Sequence, residues 1–144
     1  YMDGGRLLKE YAEDIMVDGV PARGLCGEAE AVVAAAHAVY KEHIVLLMDC
    51  LVAWKWMNRR AWNIAVKFGV DKALEELLRK CTLIRSGSIE APCRLEPYTL
   101  ARLYLDKALH DTLFRGTLLN ILKYIFKMRD SGKKIIWRIT RKSY

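Results

Sequence analysis

The chain has 144 residues, 53% of them hydrophobic, and carries 24 Lys/Arg against 17 Asp/Glu for a net charge of +7. That length suits one domain with an appended arm and buries roughly 70% of the unfolded surface, and the apolar content exceeds what one small core consumes, which favours oligomerisation. A membrane span is excluded, because the longest uncharged apolar run, residues 31–40, is too short and contains His37.

Charge is divided by position. Residues 1–50 hold four basic and nine acidic side chains, and residues 51–144 hold twenty and eight, a net of −5 against +12. A polarised chain presents a basic side, and basic sides attract polyanions: nucleic acid first, an acidic membrane surface second.

Residues 1–27 read as an N-terminal arm. Leu7, Leu8, Tyr11, Ile15 and Met16 give residues 6–18 a helical pattern. Gly19, Pro21, Gly24 and Gly27 then mark a loop or hinge. The acidic start, with Asp3, Glu10, Glu13 and Asp14, does not resemble a signal peptide. Residues 28–68 contain no Pro or Gly, and Val33, Ala36, Tyr40, Ile44, Leu47, Leu51 and Trp54 form one apolar stripe. Unbroken, that helix would be a rod of roughly 60 Å; otherwise it breaks near Asn58. Gly69 is a natural stop, and a short helix over 71–81 follows with Asp71 as its N-cap. Residues 82–96 are a connector with a small hairpin at 83–85 and 88–90. Pro97 fits the first position of a helix over 98–129, with a break at Gly116 and Thr117. From 133 to 142 the pattern alternates: Ile135, Trp137 and Ile139 on one side, Lys134, Arg138, Thr140 and Lys142 on the other. The fold class expected is mainly α: an elongated helical bundle with long helices, an N-terminal arm (1–27), a DNA-binding core with a basic tail (28–144) and a short C-terminal β element.

Cys26, Cys50, Cys81 and Cys93 include no Cys-x-x-Cys pair, so a zinc or iron–sulfur site is not indicated. Buried thiols are expected, with a Cys81–Cys93 disulfide as the alternative. The segment 54–62 interleaves Trp54, Trp56 and Trp62 with Lys55, Arg59 and Arg60. On one helix Lys55 and Arg59 are a turn apart, about 6 Å, and can reach successive phosphates, while indoles lie against sugars or bases. A solvated basic edge on a core helix is the competing reading. Asn120, Lys123 and Lys127 share a second helical face, opposite Leu118, Leu119, Leu122, Ile125 and Phe126, and run on into Lys134 and Arg138. No catalytic motif occurs: Glu-x-Lys, Gly-x-Ser-x-Gly, Walker A and His-Glu-x-x-His are all absent. His37 and His43 fall on different helix faces, and His110 beside Asp106 lacks a nucleophile. No enzyme activity, metal or cofactor is expected.

The long stretch 28–68, the arm 1–27 and the basic-aromatic segment 54–62 together resemble the helical major capsid proteins of filamentous viruses of hyperthermophilic archaea. That resemblance implies a virion protein that coats double-stranded DNA without base readout, assembling helically with itself or a paralogous subunit. The helix, Asp-Ser-Gly turn and alternating strand within residues 96–144 are similar to the end of a winged helix-turn-helix domain, which implies a cytoplasmic DNA-binding regulator instead.

Overall fold

The computed structural model describes residues 2–127. They are mainly helical; the chain divides into two units, Tyr1–Lys107 and Ala108–Tyr144, with the boundary inside one helix.

The first unit opens with α1 (Gly4–Tyr11), capped by Asp3, whose Oδ1 accepts the Arg6 N–H at 3.0 Å. Leu7 of α1 is buried in the core, so the segment expected as an arm contributes a core residue. The helix expected over 6–18 stops at Tyr11. Beyond it, β1 (Ala12–Val17) and β2 (Val20–Leu25) form an antiparallel hairpin. Its turn is Asp18–Gly19, with φ of 50° and 81°. Both positive angles suit a two-residue turn whose twist matches the strands, and an Asp-Gly pair reaches them at little cost. Ile15 and Met16, which suit a helical spacing with Tyr11, instead lie consecutively on strand β1.

α2 (Gly27–His37) is the central element and touches α3, α4 and α5. Ala29, Ala31, Val32, Ala35 and Ala36 are all buried, and their small size lets neighbours approach closely. Gly27 matters for the same reason. A Cβ there would collide with the indole of Trp56, so the half-buried ring or the α2–α3 packing would have to shift. Gly27→Ala is therefore expected to cost about 1–3 kcal/mol, read as a lower midpoint in chemical unfolding with an unchanged slope.

The single helix expected over 28–68 is not present. After α2 the chain makes a π-helical turn (Ala38–Glu42) and reaches His43 in the left-handed region, φ 57°. The short strand β3 (Ile44–Val45) follows, then α3 (Leu47–Trp56) and α4 (Arg59–Lys67). The break has a tertiary cause. Tyr104 donates its hydroxyl proton to the Tyr40 carbonyl at 2.8 Å, and His43 Nε2 lies 2.8 Å from the Tyr104 hydroxyl oxygen. With that proton committed, His43 is the donor of the second bond, and burial holds its imidazole below its ordinary pKa. The second break, near Asn58, is the one expected.

α4 ends as the sequence suggests. Gly69, φ 61°, donates its N–H to Val66 O, and Val70 donates to Ala65 O, the paired bonds of a glycine-terminated helix. Lys107, 2% exposed, donates from Nζ to the Gly69 carbonyl at 3.0 Å. α5 (Asp71–Arg85) is longer than expected, and Val70 rather than Asp71 occupies its N-cap. It stops by the same device at Gly87, φ 72°, where Gly87 N–H meets Ile84 O and Ser88 N–H meets Leu83 O. Those bonds replace the small hairpin expected there. β4 (Cys93–Arg94) pairs instead with β3, antiparallel. The disulfide joins Cys50 to Cys81, Cα atoms 5.2 Å apart, which corrects both the expected buried thiols at these two positions and the Cys81–Cys93 alternative; Cys26 is a buried free thiol and Cys93 a half-buried one.

α6 (Pro97–His110) begins at Pro97, as expected. In the second unit α7 (Thr112–Lys127) runs without a break through Gly116. The interruption of the helix expected over 98–129 falls at Asp111, whose Oδ1 accepts the Phe114 N–H at 2.9 Å. The alternating stretch 133–142 lies outside the described residues.

Candidate nucleic-acid interface

The basic-aromatic segment occupies the junction between α3 and α4, and Asn58 organises it. Its Oδ1 accepts the N–H groups of Arg60 at 2.8 Å and Ala61 at 3.0 Å, which closes the start of α4. Its Nδ2 donates to Glu28 Oε1 at 3.2 Å, tying that start to the first turn of α2. A backbone hydrogen bond and the Asn58 amide hold the Glu28 carboxyl below its usual range. Arg60 Nη1 approaches the same Glu28 oxygen at 3.8 Å.

This corner separates residues that were expected on one helix. Lys55 sits in the last turn of α3 and Arg59 is the first residue of α4. The phosphate-to-phosphate spacing derived from a continuous helix therefore does not apply. Both side chains are exposed, and neither has a carboxylate partner among the described residues. Lys55 Nζ lies 4.8 Å from the ring centroid of Trp56, which itself is half-buried against Gly27. Trp62 and Trp54 are 37% and 39% exposed and present ring surface outward. Of the five residues singled out here, Lys55, Arg59 and Trp62 face solvent, Arg60 is shared with Glu28, and Trp56 is a packing element.

Lys67 is a basic residue at the end of α4 that sequence reasoning passed over. It is not available to a partner, because Nζ meets Glu10 Oε2 at 2.6 Å. That bond, with Arg6 on the other carboxylate oxygen at 2.9 Å, holds the Glu10 carboxyl below its usual range.

In the second unit Asn120 and Lys123 are exposed on α7, as expected. Leu119, assigned to the apolar side, is 50% exposed, so that side of α7 is not wholly covered. Lys127 is the last residue of α7. Lys134 and Arg138 lie outside the described residues. The unit boundary adds what the halves of the sequence obscured. Tyr1–Lys107 holds fifteen Lys/Arg and fifteen Asp/Glu, a net of zero, and Ala108–Tyr144 holds nine and two, a net of +7. The entire basic excess belongs to the second unit.

One cleft, about 330 Å³, lies between α5 and α6, lined by Lys72, Glu75, Glu76, Arg79, Arg102, Leu103 and Asp106. Its three cations meet three carboxylates, and Arg79 is held by both oxygens of Glu76 at 2.9 and 2.7 Å. That balance gives an anion no net attraction. Among the described residues no cluster of His, Cys, Asp or Glu has the makings of a metal site, and no helix is long and apolar enough to cross a membrane. Compared with protein-family models, curated proteins and solved structures, the chain finds no match.

Proposed function

We propose that this protein coats double-stranded DNA without reading its sequence, as a structural component of a nucleic-acid assembly. The observation that carries the proposal is the charge partition: an electroneutral first unit joined to a second unit of net +7 in thirty-seven residues. Such density is what neutralises successive phosphates, and it carries no base information. Lys55 and Arg59, exposed and without acidic partners among the described residues, supply a subsidiary contact, with Trp62 beside them. Of the features that suggested filamentous-virus capsid proteins, the unbroken helix is absent, the N-terminal segment packs into the core through Leu7, and the basic-aromatic segment remains as composition only. The coat reading therefore leans on charge rather than on helix length.

Reversing Lys55 and Arg59 together to Glu tests the subsidiary contact. Binding to a random duplex is expected to weaken by about 10-fold or more, and the log–log salt slope to fall by about 2, with the unfolding midpoint unchanged because both side chains are exposed. Full affinity in that double variant would reduce the segment to a solvated edge. A preference above about 10³ for one duplex sequence would instead indicate a regulator of the winged-helix kind.

A further inference from the structure

We propose that a second copy of this chain docks on the outer face of α3, in an antiparallel two-fold contact centred on Leu51. The inference rests on the assembling reading above and names the surface that assembly uses.

α3 is packed with its small side inward. Cys50 and Ala53 are fully buried, and the disulfide to Cys81 pins that side to α5. The large apolar residues point the other way: Leu47 is 50% exposed, Met48 64%, Leu51 47% and Trp54 39%, preceded by Leu46 at 41%. At about 100° per residue, Leu47 to Trp54 fall in one sector roughly 120° wide. That sector is turned to solvent and is apolar apart from Lys55, which falls within it at the end of the helix. Scattered exposed leucines are ordinary; a contiguous apolar patch of a few hundred Å² on one helix is a candidate interaction surface.

Area decides the occupant. With roughly 150–250 Å² per large side chain, these fractions leave roughly 450 Å² of apolar surface. A standard interface buries about 800 Å² per partner, a little over half of it apolar. The four α3 residues alone leave somewhat under roughly 400 Å², and with the N-cap residue Leu46 the surface reaches about what one side of a standard dimer interface requires. The row is also self-complementary. An antiparallel pair centred on Leu51 sets Met48 against Trp54 of the partner subunit, a favourable sulfur–aromatic contact. It sets Leu47 beside Lys55 of the partner subunit, whose methylene stem covers the leucine while the ammonium stays in water. DNA offers no apolar surface to match this row.

The test uses the full chain in high salt without DNA, followed by sedimentation velocity up to about 100 µM. Wild type is expected to dimerise or associate further. Leu51→Glu and Leu51→Lys are each expected to weaken association by at least about 100-fold, because like charges meet at the two-fold, with helical circular dichroism unchanged. Mixing the two variants is expected to restore association, since opposite charges then meet. A monomeric wild type, a variant that associates as wild type does, or a mixture that stays monomeric would overturn the proposal. So would a monomeric wild type that binds anionic phospholipid vesicles through Leu51. Duplex binding by the same proteins is measured separately: its absence from wild type that dimerises through Leu51 would sink the DNA reading and leave this contact standing.

Discussion

Reversing Lys123, Lys127, Lys134 and Arg138 together to Glu is expected to abolish duplex DNA binding. The change takes the second unit from +7 to −1 while leaving the first unit at zero. If about five of the seven excess cations of the second unit, together with Lys55 and Arg59, each displace a counterion, the log–log salt slope of the wild type is about −6. Removing the second unit's contribution is worth a loss of about 10³-fold or more at about 50 mM salt. Lys123 is exposed on α7, so its reversal removes no packing. Filter or fluorescence binding to a random duplex of about 30 base pairs provides the measurement. The Lys55/Arg59 variant serves as the internal comparison, because its effect should be smaller by at least tenfold.

Replacing Cys50 and Cys81 together by Ala is the second large expectation, and it concerns the frame on which α3 is mounted. The bond closes a separation of 31 residues that includes α3 from Cys50 onward, all of α4 and most of α5. Constraining a loop of that length removes unfolded-state entropy equivalent to about 3.5 kcal/mol. For a chain of this size that corresponds to a melting point lower by roughly 10–14 °C. Reductant should produce a comparable drop in the wild type and none in the double variant. Both cysteines are fully buried, so reduction should be slow until the protein is warmed toward its transition.

The signals legible in the sequence were local ones. Gly69 ends α4 because only the left-handed conformation offers both closing bonds, and glycine adopts it freely. Pro97 begins α6, and Asn58 marks a helix start, each through chemistry confined to one turn. Asp18–Gly19 carried an equally local signal for a hairpin, but the apolar spacing of Tyr11, Ile15 and Met16 outweighed it in the reading. The break at His43 was not legible. Its partner, Tyr104, lies 61 residues away, and no periodicity in residues 28–68 announces it. The disulfide was hidden for the same reason, since sequence spacing says nothing about which helices meet.

The candidate interface divides along the same line. Exposure of Lys55, Arg59 and Lys123 followed from composition and pattern, whereas the tie between Arg60 and Glu28 and the packing of Trp56 on Gly27 depend on where α2 passes. The outward row on α3 shows how a pattern can mislead. Leu47, Leu51 and Trp54 continue the stripe of α2 in sequence and suggest a core face, yet the small residues Cys50 and Ala53 take the inside. An apolar stripe identifies a face that will be covered, not whether this chain or another copy covers it.

The central claim is that the protein binds duplex DNA through charge and not through sequence. Its most direct test is the affinity of the full chain for a random duplex, measured from about 50 to 200 mM salt, with competition by a pool of duplexes of differing sequence. The account predicts a log–log slope near −6, a fall of about 4 × 10³-fold across that range, and no duplex preferred by more than about 10-fold. A slope near zero, or no binding at about 50 mM salt, would contradict it.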